Sequence, residues 1–91
     1  MVLDYDDTFT RDPKGWMGVA ELLKMAGHEV IGCTMRYPSE SGGIDARYLA
    51  TCSHVYFSRR KAKRAYLASL NIFPHVWIDD TPEFIHFDAR Q

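Results

Sequence analysis

Apolar positions along the chain fall into short β-like clusters separated by stretches with helical spacing. Val2 and Leu3 open the first cluster, which runs straight into Asp4, Asp6 and Asp7, with hydroxyls at Thr8 and Thr10. Asp12-Pro13 then supplies a helix N-cap followed by proline at the first helical position, and apolar residues recur at Trp16, Val19, Ala20, Leu22, Leu23 and Ala26. Gly27 ends this helix. The run Glu29–Cys33 reads as a buried strand with β-branched Val30 and Ile31, and it delivers Thr34 at its carboxyl end. Arg36–Gly43 is loop by composition, and a short helix over Asp45–Thr51 leads to a third strand, His54–Phe57. Ser58 is placed to cap the next helix, on which Ala62, Ala65, Tyr66 and Leu70 form the expected core stripe, with Asn71 as a left-handed terminator. Val76–Ile78 is the fourth strand and ends in Asp79-Asp80, after which Thr81–Gln91 holds one short helical or extended piece.

Strands alternating with helices in this way predict a parallel sheet with helices on both faces. The expected fold is therefore α/β: a small Rossmann-like three-layer sandwich with a parallel sheet of four to five strands. A chain of 91 residues has room for one such domain, residues 1–91, and little for a second core. No glycine-rich loop follows the first strand, which argues against a dinucleotide-binding version of the architecture.

Composition narrows the partners. The apolar fraction of 46% is that of a folded domain, and a net charge of −1 draws the molecule as a whole to neither nucleic acid nor membrane. No run approaches the roughly 20 apolar residues of a membrane span, and acids at positions 4, 6 and 7 do not suit a signal peptide, so a cytoplasmic location is expected. Cys33 and Cys52 have no metal-ligand spacing and lie in or beside apolar segments, as buried reduced thiols would. Apolar surface left on so small a sheet makes a homodimer an open expectation. Trp16, Phe57, Tyr66 and Trp77 are read as core, while His28, His54, His75 and His86 lack ligand spacing and receive no role.

The acids carry the chemistry. Ligands of open α/β sheets collect beyond the carboxyl ends of the strands, so Asp4 and Asp6 would face a shared cleft with Asp79 and Asp80 if the first and fourth strands are neighbours. Two like charges about 4 Å apart repel by roughly 4 kcal/mol at an effective dielectric near 20, so such a gathering calls for a cation or a raised pKa. Mg²⁺, held by one or two carboxylates with water and a substrate phosphate, answers that need. Five of the eleven Lys and Arg residues fall in Arg59–Arg64, at a helix start where the macrodipole disfavours cations. Some of them are therefore expected to meet an anion, either the carboxylates or a bound phosphate.

Taken in order, these residues resemble the four motifs of the haloacid dehalogenase (HAD) superfamily of phosphotransferases. Asp4-Tyr5-Asp6-Asp7-Thr8 matches the first motif, Asp-x-Asp-x-Thr, with Asp7 where many members have Gly; Thr34 matches the second. Lys61 or Lys63 matches the third, and Val76-Trp77-Ile78-Asp79-Asp80 the fourth, so that the match spans residues 1 to about 80. The resemblance implies a Mg²⁺-dependent phosphohydrolase of minimal HAD-like type. In it Asp4 is the covalent nucleophile and Asp6 the general acid and base. Thr34 and Lys61 hold the phosphoryl group, Met35 and Lys63 complete the substrate contacts, and Asp4, Asp6, Asp79 and Asp80 hold the metal. Neither interval between motifs leaves room for the cap domain such enzymes often carry, which implies an open site. In similar enzymes an open site goes with large substrates such as proteins or nucleic acids, or with a lid supplied by another subunit; the phosphorylated substrate is left as a small molecule or a macromolecular phosphate ester.

Bland readings stand beside each of these. Asp4 and Asp6 would suit a polar turn, Thr34 a strand-end hydroxyl, Asp79-Asp80-Thr81-Pro82 a helix cap and turn, and Arg59–Arg64 either a solvated face or a nucleic-acid patch. A catalytically silent HAD-like domain binding a phosphate or a macromolecular partner is the alternative to an enzyme. A phosphoacceptor receiver domain needs its acid pair on the first strand and a lone acceptor Asp on the third, whereas here the pair lies on the fourth strand and the third ends in Ser58.

Overall fold

Four strands run parallel in one sheet: β1 (Val2–Leu3), β2 (Ile31–Thr34), β3 (Val55–Phe57) and β4 (Trp77–Ile78), in the spatial order β3-β2-β1-β4. They belong to a computed structural model that describes residues 1–89. Val2 pairs with Ile31 on one side and Trp77 on the other, which sets β1 between β2 and β4. Helices α1 (Pro13–Met25), α2 (Ala46–Thr51) and α3 (Lys63–Ser69) follow the first three strands, and α4 (Glu83–His86) follows β4. The chain is thus a small Rossmann-like α/β domain with a four-stranded parallel sheet, the low end of the expected range.

Because successive strand residues point to opposite faces, β1 divides its side chains between two cores. Leu3 joins Tyr5, Phe9, Ala20, Val30, Ile44, Tyr48 and Cys52 beneath α1 and α2, whereas Val2 joins Ile31, Cys33 and Leu67 beneath α3. Tyr48 locks the first of these: its hydroxyl donates to the Leu3 carbonyl at 2.6 Å, deep in the sheet. Gly32 is required below it, since a Cβ there would lie 2.4 Å from the Tyr48 oxygen. Cys33 and Cys52 are free and buried on opposite sides, and burial pushes their thiols up to about 12 and about 11.

Local signals set several boundaries. Asp12 accepts from the Gly15 amide at 3.1 Å and Asp45 from the Arg47 amide at 2.8 Å, as N-caps do. Gly27 (φ 93°) and Asn71 (φ 63°) take the left-handed conformation after α1 and α3. Arg36–Gly43, expected to be loop, contains a 3-10 segment, Pro38–Gly43.

Three expectations need correcting. Ser58 does not cap α3, which begins at Lys63; its hydroxyl donates to the Lys61 carbonyl at 2.9 Å, and Asp88 accepts from the Ala62 amide at 2.7 Å instead. The buried face of α3 is Lys63 and Leu67, one turn apart, and this rotation leaves Ala65 and Leu70 exposed. On α1 only Ala20 is fully buried; Trp16 and Leu23 pack at the margin, and Leu22 (68%) and Met25 (78%) stand in solvent. Strands of two to four residues are too short to cover a helix of 13 residues, about 20 Å long. Phe57, Tyr66 and Trp77 likewise pack at the core margin without being fully buried.

Candidate active site

β1 runs on to β2 at one side of it, whereas β3 returns across the sheet to β4 at the other, and the crevice at this switch point lies at the carboxyl ends of β1 and β4. Asp4 follows β1 and Asp79 and Asp80 follow β4; the Asp4 amide donates to the Ile78 carbonyl at 2.9 Å, which holds the two strand ends in register. Lys63 enters from the start of α3. Its ammonium donates to Asp4 Oδ1 and to Asp79 Oδ2, both at 2.6 Å, and the residue is only 3% exposed.

Thr8 closes the other side. Its hydroxyl lies 3.0 Å from Asp4 Oδ2 and 3.3 Å from Asp80 Oδ1, and it accepts from the Asp80 amide at 3.1 Å. The Thr81 amide and hydroxyl add bonds to Asp79 Oδ1 and Asp80 Oδ2 at 3.0 and 3.1 Å. Asp7 bridges Asp6 and Thr8 with φ 61°, a left-handed conformation that Asp tolerates better than most residues. A cleft of about 350 Å³ opens over the cluster, with Met35, Arg60 and Phe84 among its walls and Asp6 and Asp7 on its acidic side.

Two buried carboxyl groups, Asp4 and Asp79, share one buried ammonium, with the exposed Asp80 beside them. Burial pushes the Asp4 carboxyl up to about 7, Lys63 pulls it back, and the Asp79 charge adds to the rise. Burial also disfavours the Lys63 ammonium, but Asp4 and Asp79 outweigh it and hold that group above its usual range. Asp80 is held below the ordinary carboxylate range: its modest desolvation is outweighed by hydrogen bonds from Asp4, Thr81 and Thr8. Oxygens of Asp4, Asp79 and Asp80 lie within 4.8 Å of one another, an all-oxygen donor set with excess negative charge. That chemistry fits a hard divalent cation such as Mg²⁺.

The sequence-predicted residues divide into those the fold gathers and those it does not. Asp4, Lys63, Asp79 and Asp80 meet directly, and Asp6 and Met35 line the cleft. Thr34 is buried at the neighbouring strand end, its hydroxyl accepting from the Arg36 amide at 3.3 Å, and it is not among the described residues lining the cleft. Lys61, first choice as the catalytic lysine, stands at the surface 3.9 Å from Asp88, because α3 starts later than the pattern suggested and turns Lys63 inward. The Arg59–Arg64 cluster is likewise divided: Lys63 is buried among acids, Arg60 pairs with Glu40 at 3.1 Å, and Arg59, Lys61 and Arg64 remain exposed.

Sequence reading missed Thr8 as the link between Asp4 and Asp80, Phe84 as a cleft wall, and Arg36, whose guanidinium grips Asp6. The spacing of Thr8 from Asp4, i and i+4 past a strand end, held a signal for the first; the other two depend on how separate loops meet.

The fold and this cluster define a parallel α/β domain with an acid-and-lysine site at its topological switch point. Compared with protein-family models, curated proteins and solved structures, the chain gives no significant match. No helix among the described residues is long and apolar enough to cross a membrane.

Proposed function

We propose that the domain is a Mg²⁺-dependent phosphohydrolase of HAD-like type that cleaves phosphomonoesters through a phosphoaspartate on Asp4. The observation that carries this reading is the Lys63 ammonium bridging Asp4 and Asp79 at the ends of two adjacent parallel strands, with Asp80 and Thr8 beside them. A lysine buried to 3% exposure is seldom placed among acids for stability alone, since burying an ion pair yields little over apolar packing.

Asp4 attacks phosphorus in line, forming an O–P bond as the bond to the leaving oxygen breaks, and Asp6 passes its proton to that oxygen. Water then attacks the phosphoaspartate, gives a proton back to Asp6 and releases phosphate with the Asp4 carboxylate restored. Lys63 holds Asp4 in the attacking orientation and offsets charge building on the phosphoryl oxygens. Asp4, Asp79 and Asp80, with Asp6 beside them, would hold Mg²⁺, which when bound neutralises the phosphoryl group. Thr34 is assigned a supporting place at the neighbouring strand end. The cleft has no cap above it among the described residues, which suits a phosphate ester presented on either a small or a large molecule.

The test is release of phosphate from an aryl phosphate with Mg²⁺ and with chelator, for the wild type and Asp4→Asn. Metal-dependent turnover that the substitution abolishes is expected. Absence of turnover in a protein that still binds Mg²⁺ would favour a silent phosphate-binding domain instead.

A further inference from the structure

Arg36 follows β2, yet its side chain reaches across the sheet edge to the loop after β1. There Nη2 donates to Asp6 Oδ1 at 2.7 Å and Nε to Oδ2 at 3.1 Å, a two-pronged match between planar groups. Both bonds of the Asp6 carboxylate among the described residues go to this one guanidinium. The guanidinium is itself fixed on other sides: Nη1 donates to the Glu40 carbonyl at 3.3 Å, and the Tyr5 ring lies beneath its carbon at 5.3 Å. Tyr5 cannot drift, because its hydroxyl accepts from the Asp45 amide at 2.8 Å and its ring packs against Tyr48 at 4.8 Å. Glu40 in turn accepts from the Tyr37 amide at 2.6 Å and from Arg60 at 3.1 Å.

Resting on the phosphohydrolase reading, we infer that Arg36 is the positioning residue of that reaction, fixing the Asp6 carboxylate at the mouth of the cleft so that it can exchange a proton with the leaving oxygen. Arg36 is not among the described residues lining the cleft, whereas Asp6 is, so its influence passes through Asp6 and not through the substrate. Asp6 is half exposed, and an unheld aspartate there would sample several rotamers, only one of them productive. A carboxylate has about four lone-pair sites, and the fork engages one on each oxygen, leaving others for the proton transfer. The 3-10 segment Pro38–Gly43, stapled through Glu40 to both arginines, is the brace that keeps the fork in place.

Leaving-group dependence tests this. A nitrophenyl phosphate departs as a stable phenolate and needs no proton, whereas an alkyl phosphate needs one. In Arg36→Gln, kcat/KM for the alkyl ester should fall roughly 10- to 100-fold, within the range general acid catalysis supplies, with the nitrophenyl ester changed less than about threefold and KM unchanged. Asp6→Asn sets the scale, and the double variant should lose no more than Asp6→Asn alone. The ratio of the two substrates is independent of the folded fraction, and Arg36→Lys, which keeps the charge without the fork, should move it in the same direction. Equal losses on both esters, or a loss carried by KM, would overturn the role given to Arg36 while leaving the phosphohydrolase reading intact. A wild type that hydrolyses neither ester would overturn both.

Discussion

Asp4 and Lys63 are placed where each is costly alone. Burial makes the Asp4 charge expensive enough to push its carboxyl up to about 7, and Lys63 lies 2.6 Å from it and from Asp79. Removing either partner should therefore shift stability in opposite directions. Asp4→Asn deletes a disfavoured charge and leaves the Lys63–Asp79 pair, so the metal-free variant should melt several degrees above the wild type at pH 8. Lys63→Met leaves two buried carboxylates facing each other, and its loss should be roughly 3–5 kcal/mol in urea unfolding. Equal stability for the two variants would mean that the acids are solvated in a way these distances do not suggest. At this scale the sequence was informative about residue types and silent about reach. Paired acids at strand ends mark Asp4, Asp79 and Asp80 directly, but choosing Lys63 over Lys61 requires the first turn of α3, and the Arg36–Asp6 fork joins residues 30 positions apart.

Helix starts show the same divide at the level of elements. Asp12 and Asp45 cap the helices they immediately precede, so the signal lies within three residues and can be read from the chain. α3 is different: its N-cap residue, Ala62, has no side-chain acceptor to offer, and the Ala62 amide is met by Asp88, 26 positions later, after β4 and α4, which no local pattern announces. This bond ties the tail to the start of the helix that carries Lys63, and the Ala89 amide reinforces it by donating to the Arg60 carbonyl at 2.7 Å. Asp88→Ala should cost about 1 kcal/mol, the usual net value of one hydrogen bond. Asp88→Asn, which keeps the acceptor and loses only the exposed pairing with Lys61, should remain close to the wild type, since such surface pairs contribute little. Matching losses for both substitutions, read from urea midpoints, would assign the effect to charge and not to the hydrogen bond. α1 erred for another reason: helical spacing identifies an apolar stripe but not the width of the sheet beneath it, so Val19, Leu22 and Ala26 of that stripe remain exposed.

The order β3-β2-β1-β4 sets the whole molecule's response to pH and metal, because it brings the acids of β1 and β4 to one crevice on the sheet edge. Alternating short strands and helices made that architecture legible, but β1 beside β4 was only a condition of the sequence reading, which the strand pairing meets; the walls of the cleft, Phe84 of α4 among them, came only from the folded chain. In the folded, metal-free protein Asp4 keeps its proton up to about pH 7, whereas in the unfolded chain it gives it up near its ordinary 3.8. Between those values the folded state binds more protons, so stability is fully present below about pH 4 and declines as pH rises to about 7. The decline is at most roughly 4 kcal/mol at about 1.4 kcal/mol per pKa unit. Asp80 works in the other direction, its lowered value giving stability that fades only as the solution becomes strongly acidic, outside this window. A divalent cation competes with the Asp4 proton and with the repulsion among Asp4, Asp79 and Asp80, so it should stabilise the fold far more at pH 8 than at pH 5. Melting temperatures at both pH values, in chelator and in millimolar Mg²⁺, decide the matter. A metal-free curve that falls toward pH 8 and is lifted there by Mg²⁺ is expected. A flat curve, or an equal lift at both pH values, would mean that the three carboxylates do not act together as a cation site.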